Sequence, residues 1–270
     1  MPPKRTRANR LLASVAVAAV LSLPVAGCKT LGDDVTGSIG ATGTPRSDAE
    51  WRQAIEVEGA RYRANPGDVN AAMAYARALR ATGQHAQAVA VLQQSSLRNP
   101  RNMPLQGACG RALAETGQYA LALDALGRAH TPDNPDWRVL NAQGAVLDQM
   151  GRHAEAQQSY STALKIVPRE PSVLSNLGLS YALMKDLKRA EVTLRQAVAQ
   201  PKADPKVRQN LALVIGLEGR FDEAEKIARA DLPGAEAEAN VTYLREMLAK
   251  QNGRTNKDRH PYIPPPDKGT

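Results

Sequence analysis

One phenylalanine, two tryptophans and seven tyrosines are the only aromatic residues in a chain of 270, about 4% of it. A core without aromatic bulk must rest on Ala, Leu and Val, and Ala both favours helix and lets helix axes approach closely. The expectation is an all-α chain. Cysteine is scarcer still: Cys28 and Cys109 lie in unrelated contexts, which excludes a disulfide framework. Cys109, inside an apolar helical stretch, reads as a small buried hydrophobe. Missing too are G-x-S-x-G, H-E-x-x-H, a Walker loop and a dinucleotide fingerprint, so no motif points to catalysis, a cofactor or a metal. The formal charge is +8, but no Lys/Arg tract interleaved with aromatics, RNP-like strand or Cys/His finger spacing accompanies it, which argues against nucleic acid as a partner. Four of the positive charges, Lys4, Arg5, Arg7 and Arg10, precede residue 28 with no acidic residue among them, so the remainder carries only +4.

What is present begins with those four residues. A basic segment over residues 1–10 is followed by uncharged apolar residues from Leu11 to Leu23, the layout of a secretory signal. From Leu11 to Gly27 there are 17 residues, interrupted by Pro24, whereas a membrane-spanning helix needs about 20. Val25-Ala26-Gly27-Cys28 resembles a bacterial lipobox. The resemblance implies that the Cys28 thiol receives a diacylglyceryl group, that residues 1–27 are then removed, and that the new amine is acylated. Several acyl chains at about 0.8 kcal/mol per buried methylene give durable attachment. An uncleaved membrane helix and a plain signal peptide are the other readings of this segment. Lys29 stands where some lipoproteins carry an inner-membrane retention Asp, which favours an outer-membrane lipoprotein facing the periplasm. Residues 28–48, rich in Gly and Thr, read as the lipidated N-terminus and a flexible tether about 25 Å in reach. Residues 251–270 read as a disordered, Pro-rich tail.

Between tether and tail runs a repeat. Gly83, Gly117, Gly151, Lys185 and Gly219 are spaced 34 residues apart, and Ala88, Ala122, Ala156, Ala190 and Ala224 follow each by five. Seven residues before the turn comes another small residue, Ala76, Gly110, Gly144, Gly178 or Ala212, and nine after it comes Leu92, Leu126, Tyr160, Leu194 or Ala228. A glycine that ends one helix in the left-handed region, with small residues where two helices touch, describes a helix-turn-helix packed on itself. Period, small residues and prolines near unit ends resemble the tetratricopeptide repeat. The resemblance implies an all-α superhelical solenoid over residues 49–250, with five units at 69–102, 103–136, 137–170, 171–204 and 205–238. Helices over 48–64 and 239–250 would cap its ends. Three departures stand out: no aromatic at the fourth position of any unit, Lys185 in place of a turn glycine, and Asp231 in place of a small residue.

Nothing in the repeats reads as chemistry. His85 and His153 fall two residues after a turn glycine, an exposed repeat position, while His130 and His260 are scattered. Glu155, Glu191 and Glu223 read as a solvated outer face. In a solenoid of this kind the first helix of each unit lines a concave groove. The groove-facing positions supply Asn70, Met73, Arg77, Arg80, Arg111, Glu115, Arg138, Asn141 and Asp148, then Ser175, Leu179, Leu183, Gln209, Leu213 and Leu217, with Asn176 and Asn210 beside them. One half is Arg-rich and the other Leu-rich, matching a protein partner with acidic and apolar portions. The Lys/Arg clamp that grips C-terminal carboxylates in chaperone-binding relatives is missing.

A lipoprotein signal, a tether, five repeats and the terminal segment "NVTYLREML" resemble the lipoproteins of tight-adherence (Flp-type) pilus assembly loci. That resemblance implies a non-catalytic, outer-membrane-tethered adaptor without cofactor that serves a secretin or another pilus assembly component. Adaptors of outer-membrane protein insertion or peptidoglycan machinery, and regulatory subunits of envelope enzymes, share most of these features.

Overall fold

The computed structural model describes residues 47–257, with side chains described through residue 250. Cys28, the signal and most of the tether lie outside the described residues, as do residues 258–270. Twelve helices and no strands make up the described chain, divided between two units with the boundary after Pro168. The first unit holds α1 (Asp48–Ala64), α2 (Val69–Ala81), α3 (His85–Arg98), α4 (Met103–Glu115), α5 (Tyr119–Gly127), α6 (Trp137–Gln149) and α7 (His153–Ile166). The second holds α8 (Pro171–Leu183), α9 (Leu187–Val198), α10 (Pro205–Leu217), α11 (Phe221–Ala228) and α12 (Gly234–Lys257).

Each repeat opens on a side chain that caps its first helix. Asp68, Asn102, Asp136, Glu170 and Asp204 accept from backbone N–H groups at the starts of α2, α4, α6, α8 and α10. Each first helix ends the same way. The turn residue has positive φ in all five units: 77° at Gly83, 75° at Gly117, 74° at Gly151, 64° at Lys185 and 85° at Gly219. In the first repeat Gly83 N–H donates to Arg80 O at 3.0 Å and Gln84 N–H to Leu79 O at 2.8 Å, the paired bonds of a Schellman cap, and the other four turns repeat them. Lys185 adopts the left-handed conformation at a cost glycine avoids. Asp186 offsets part of it by accepting from Arg189 N–H at 3.1 Å, a cap that α3, α5, α7 and α11 lack.

Contact between the two helices of a repeat falls where the small residues lie. Ala88, Ala122, Ala156, Ala190 and Ala224 are all fully buried. A Cβ added to Gly110 would lie 2.6 Å from Leu126 Cγ, and one added to Gly178 would lie 2.7 Å from Leu194 Cγ. At Gly144 it would run into the Tyr160 ring, so the missing side chain makes room for a larger one opposite. Within the first unit each helix packs on the next, and α2, α4 and α6 touch side by side. In the second unit α8 and α10 do the same, and α12 covers α10 and α11 through Ala237, Val241 and Leu244.

Two boundaries differ from the sequence reading. The last helix begins at Gly234 and runs to Lys257, so seven residues assigned to the tail are helical. Gly253 lies within it at a cost of about 1 kcal/mol, which a helix already anchored by buried residues tolerates. The fifth repeat is irregular where Asp231 replaces a small residue. Arg208, at the position where repeats of this kind carry an aromatic, donates through Nε to Asp231 Oδ2 at 2.6 Å and through Nη2 to its other oxygen. The two departures therefore compensate each other.

Candidate docking surfaces

First helices of successive repeats lie side by side within each unit, and their outward faces form one surface per unit. On the first unit this surface comes from α2, α4 and α6. Arg77 is exposed on α2. Arg80, three residues on and half-buried, is engaged with Glu115 of α4: Nε donates to Oε2 at 2.8 Å and Nη2 to the other oxygen. His85 Nδ1 lies 3.3 Å from the same carboxylate. Arg111 and Asn141, expected on an open groove, are only 7% and 2% exposed. Close approach of α4 to its neighbours seals these positions into the seams between helices, and Gly107 leaves space beside the Arg111 guanidinium. Arg138 remains half-buried at the surface with its guanidinium 4.4 Å above the Trp137 ring, a cation–π stack.

Asp148 of α6 faces inward as well. Tyr160 OH donates to its Oδ2 at 3.0 Å, and His153 Nδ1 lies 2.8 Å from its Oδ1. Burial, reinforced by the Asp148 charge, pushes the Tyr160 phenol well above its ordinary range. His153, expected at an exposed position, is half-buried against this carboxylate.

On the second unit the surface comes from α8 and α10. Leu179 and Leu183 of α8 are half-buried, as are their counterparts Leu213 and Leu217 of α10. They form two rows of partly exposed leucine. Asn176 is half-buried, and Asn210 Nδ2 donates to Ser175 Oγ at 3.0 Å, so this asparagine ties α10 to α8.

The second helices carry charge of another kind. Arg195 donates to Glu191 and Glu223 at 2.7 Å each, while Arg220 reaches Glu191 at 3.0 Å, Glu218 at 2.8 Å and Glu223 at 2.5 Å. Glu191 and Glu223, expected as solvated outer-face residues, are thus parts of an ion-pair network. Burial pushes the Glu191 carboxyl up, but hydrogen bonds from Arg195 and Arg220 outweigh it and hold it below the usual range. Bonds from the same two arginines lower Glu223. In the first unit, burial raises the Cys109 thiol above its ordinary value despite the Ser96 hydroxyl beside it. Among the described residues no group of three or more His, Cys, Asp or Glu side chains could hold a metal ion. Among the same residues no helix is long and apolar enough to cross a membrane.

Sequence reading missed three pairings. Arg80 with Glu115 and Arg208 with Asp231 each join opposite charges at recurrent repeat positions, so the charge pattern could have shown them. The Asp148, His153 and Tyr160 cluster had its signal in Tyr160, the one polar residue among five otherwise aliphatic packing positions.

Two tetratricopeptide-repeat models match the chain, at residues 69–94 and 138–169. No curated protein matches the sequence. Among solved structures, PilW, a widely conserved type IV pilus biogenesis factor, is 16% identical with a TM-score of 0.63, over 72% of this chain and 91% of its own. A thermophilic tetratricopeptide-repeat protein of Thermus thermophilus is 21% identical with a TM-score of 0.58, over 67% of this chain and 100% of its own. A tetratricopeptide-repeat protein of Parabacteroides merdae is 16% identical with a TM-score of 0.60, over 76% of this chain and 81% of its own. At these identities the likeness concerns the fold. With the five recurrent turns, it gives the described residues an all-α tetratricopeptide-repeat fold.

Proposed function

We propose that this protein is a non-catalytic adaptor, attached to the outer membrane through lipid on Cys28, that docks protein partners on the outward faces of its first helices during assembly of a Flp-type pilus and its secretin. The observation that carries the docking reading is the pair of leucine rows on α8 and α10. Leu179, Leu183, Leu213 and Leu217 stand partly exposed in register on adjacent helices, an apolar surface of the kind that receives a peptide. The envelope and pilus parts of the reading draw on the lipobox-like segment, the tether and the "NVTYLREML" segment. A pilus biogenesis factor among proteins of similar fold is consistent with them.

The test is photo-crosslinking in intact envelopes from a probe at Leu213 and, as a control, from Val192 on α9. The secretin should be recovered from Leu213 and not from Val192. Leu179→Asp combined with Leu213→Asp should abolish capture while helicity by circular dichroism is retained. Unchanged capture by that variant refutes the docking surface, and a β-barrel insertion or peptidoglycan component in place of the secretin refutes the pilus assignment. Cys28→Ser should block fatty-acid labelling; label that persists refutes the anchor.

A further inference from the structure

Resting on the docking reading above, we propose that the α2, α4 and α6 surface of the first unit selects an acidic peptide segment, with Arg77 and Arg138 making the contacts and Arg80 held out of them. At the repeat positions expected to line a groove these helices carry four arginines, Arg77, Arg80, Arg111 and the surface Arg138, against two carboxylates, Glu115 and the inward-facing Asp148. Both carboxylates already accept from within the fold. Glu115 receives both arms of the Arg80 guanidinium and has His85 at 3.3 Å. Asp148 receives Tyr160 OH at 3.0 Å and faces His153 at 2.8 Å.

A basic segment arriving here would have to displace these internal donors, and it would meet an excess of positive charge. An acidic segment meets that excess directly. Electrostatic complementarity of this kind sets specificity and association rate more than final affinity.

The four arginines have different tasks. Arg80 cannot turn outward without abandoning Glu115, so it holds α2 to α4. Arg111, only 7% exposed, adds to the local field from a depth that a ligand at the surface does not reach. Arg77 is exposed on α2. Arg138 is stacked 4.4 Å over Trp137, which orders its guanidinium before a ligand arrives and lowers the entropy lost on pairing. A planar guanidinium meets a carboxylate in a charge-assisted pair, so side chains of Asp or Glu are the chemistry these two positions recognise.

The experiment uses the purified full chain and two fluorescent octapeptides, one of alternating Glu and Leu and one of alternating Lys and Leu, read by anisotropy. The Glu peptide should bind at least tenfold more tightly than the Lys peptide, and its affinity should fall at least tenfold between 50 mM and 300 mM salt, as surface charge pairing requires. Arg77→Glu with Arg138→Glu should reverse the preference, with an unchanged circular dichroism melt showing that the fold survives. Arg80→Ala should leave the preference in place. Equal binding of the two peptides, no binding of the Glu peptide, or a reversal produced by Arg80→Ala overturns the inference. A photo-reactive group at Met73 on α2 separates it from the docking reading. Crosslinking there without charge preference leaves the docking surface standing and removes only the acidic partner; crosslinking from exposed Leu121 on α5 instead removes both.

Discussion

Gly144→Ala should destabilise the protein, although alanine favours helix over glycine. The added Cβ points at Cε1, Cζ and Cδ1 of the Tyr160 ring, all closer than 3 Å. Tyr160 has nowhere to go, because its ring is buried and its hydroxyl is fixed on Asp148 at 3.0 Å. Overpacking of this kind costs about 1–3 kcal/mol, while the helix gains about 1 kcal/mol from alanine. The net expectation is a loss of about 1–2 kcal/mol, read by urea denaturation followed by circular dichroism. The chain supplies its own rescue. Ala76 faces Leu92 at the same positions of the first repeat, with both side chains buried, so Gly144→Ala with Tyr160→Leu recreates a pair the fold already accommodates. The double variant should relieve the clash and lose only the hydrogen bond to Asp148, about 1 kcal/mol. If Gly144→Ala alone is neutral or stabilising, the tight contact between α6 and α7 is misassigned.

Arg208→Ala should cost about 1–2 kcal/mol, since it leaves the Asp231 carboxylate, with its side chain 8% exposed, without a bidentate partner. Arg208→Leu with Asp231→Ala should recover that loss, because Leu140 with Ala163 and Leu174 with Ala197 fill the same positions of two other repeats; a double variant no better than Arg208→Ala would contradict compensation. Acid should weaken the second unit: Glu191 and Glu223 are lowered from 4.5 in the folded state, so the stability they contribute is complete above pH 4.5 and is lost as the pH falls below it. Glu191→Gln with Glu223→Gln should flatten that dependence in pH-resolved melts, and an unchanged profile would count against the network. Cys109, buried and with its thiol raised, should stay unreactive toward a thiol reagent at neutral pH in the Cys28→Ser chain until denaturant is added.

Much of the fold was legible because it recurs. A turn residue and a packing alanine repeated five times leave little freedom in register, and the start of the capping helix α1 at Asp48 follows from Ser47 and Glu50, whose reciprocal bonds close a capping box. The surfaces were less legible, since a repeat position tells which way a residue leans and not how closely the neighbouring helix approaches. Arg111 and Asn141 occupy outward positions yet are sealed in seams, whereas Arg77 at an equivalent position stays open. Arg80 could be placed correctly and still be misread, because its partner Glu115 lies on the next repeat. Departures that compensate each other also require two positions to be read together, and Lys185 with Asp186 or Arg208 with Asp231 make sense only in that way.

The recurrence of one turn along the chain has a consequence for motion. Within each unit a helix packs chiefly on its neighbours and, for first helices, on the matching helix of the adjacent repeat, so opening one repeat exposes amides locally and leaves distant ones of that unit protected. Hydrogen exchange should therefore proceed in steps along the sequence. It should be earliest around α11, whose eight residues make it the shortest second helix, and slowest near fully buried Leu79, Leu105 and Leu126. A partner seated across adjacent first helices would suppress this stepwise opening, which makes protection against exchange a direct map of where it sits.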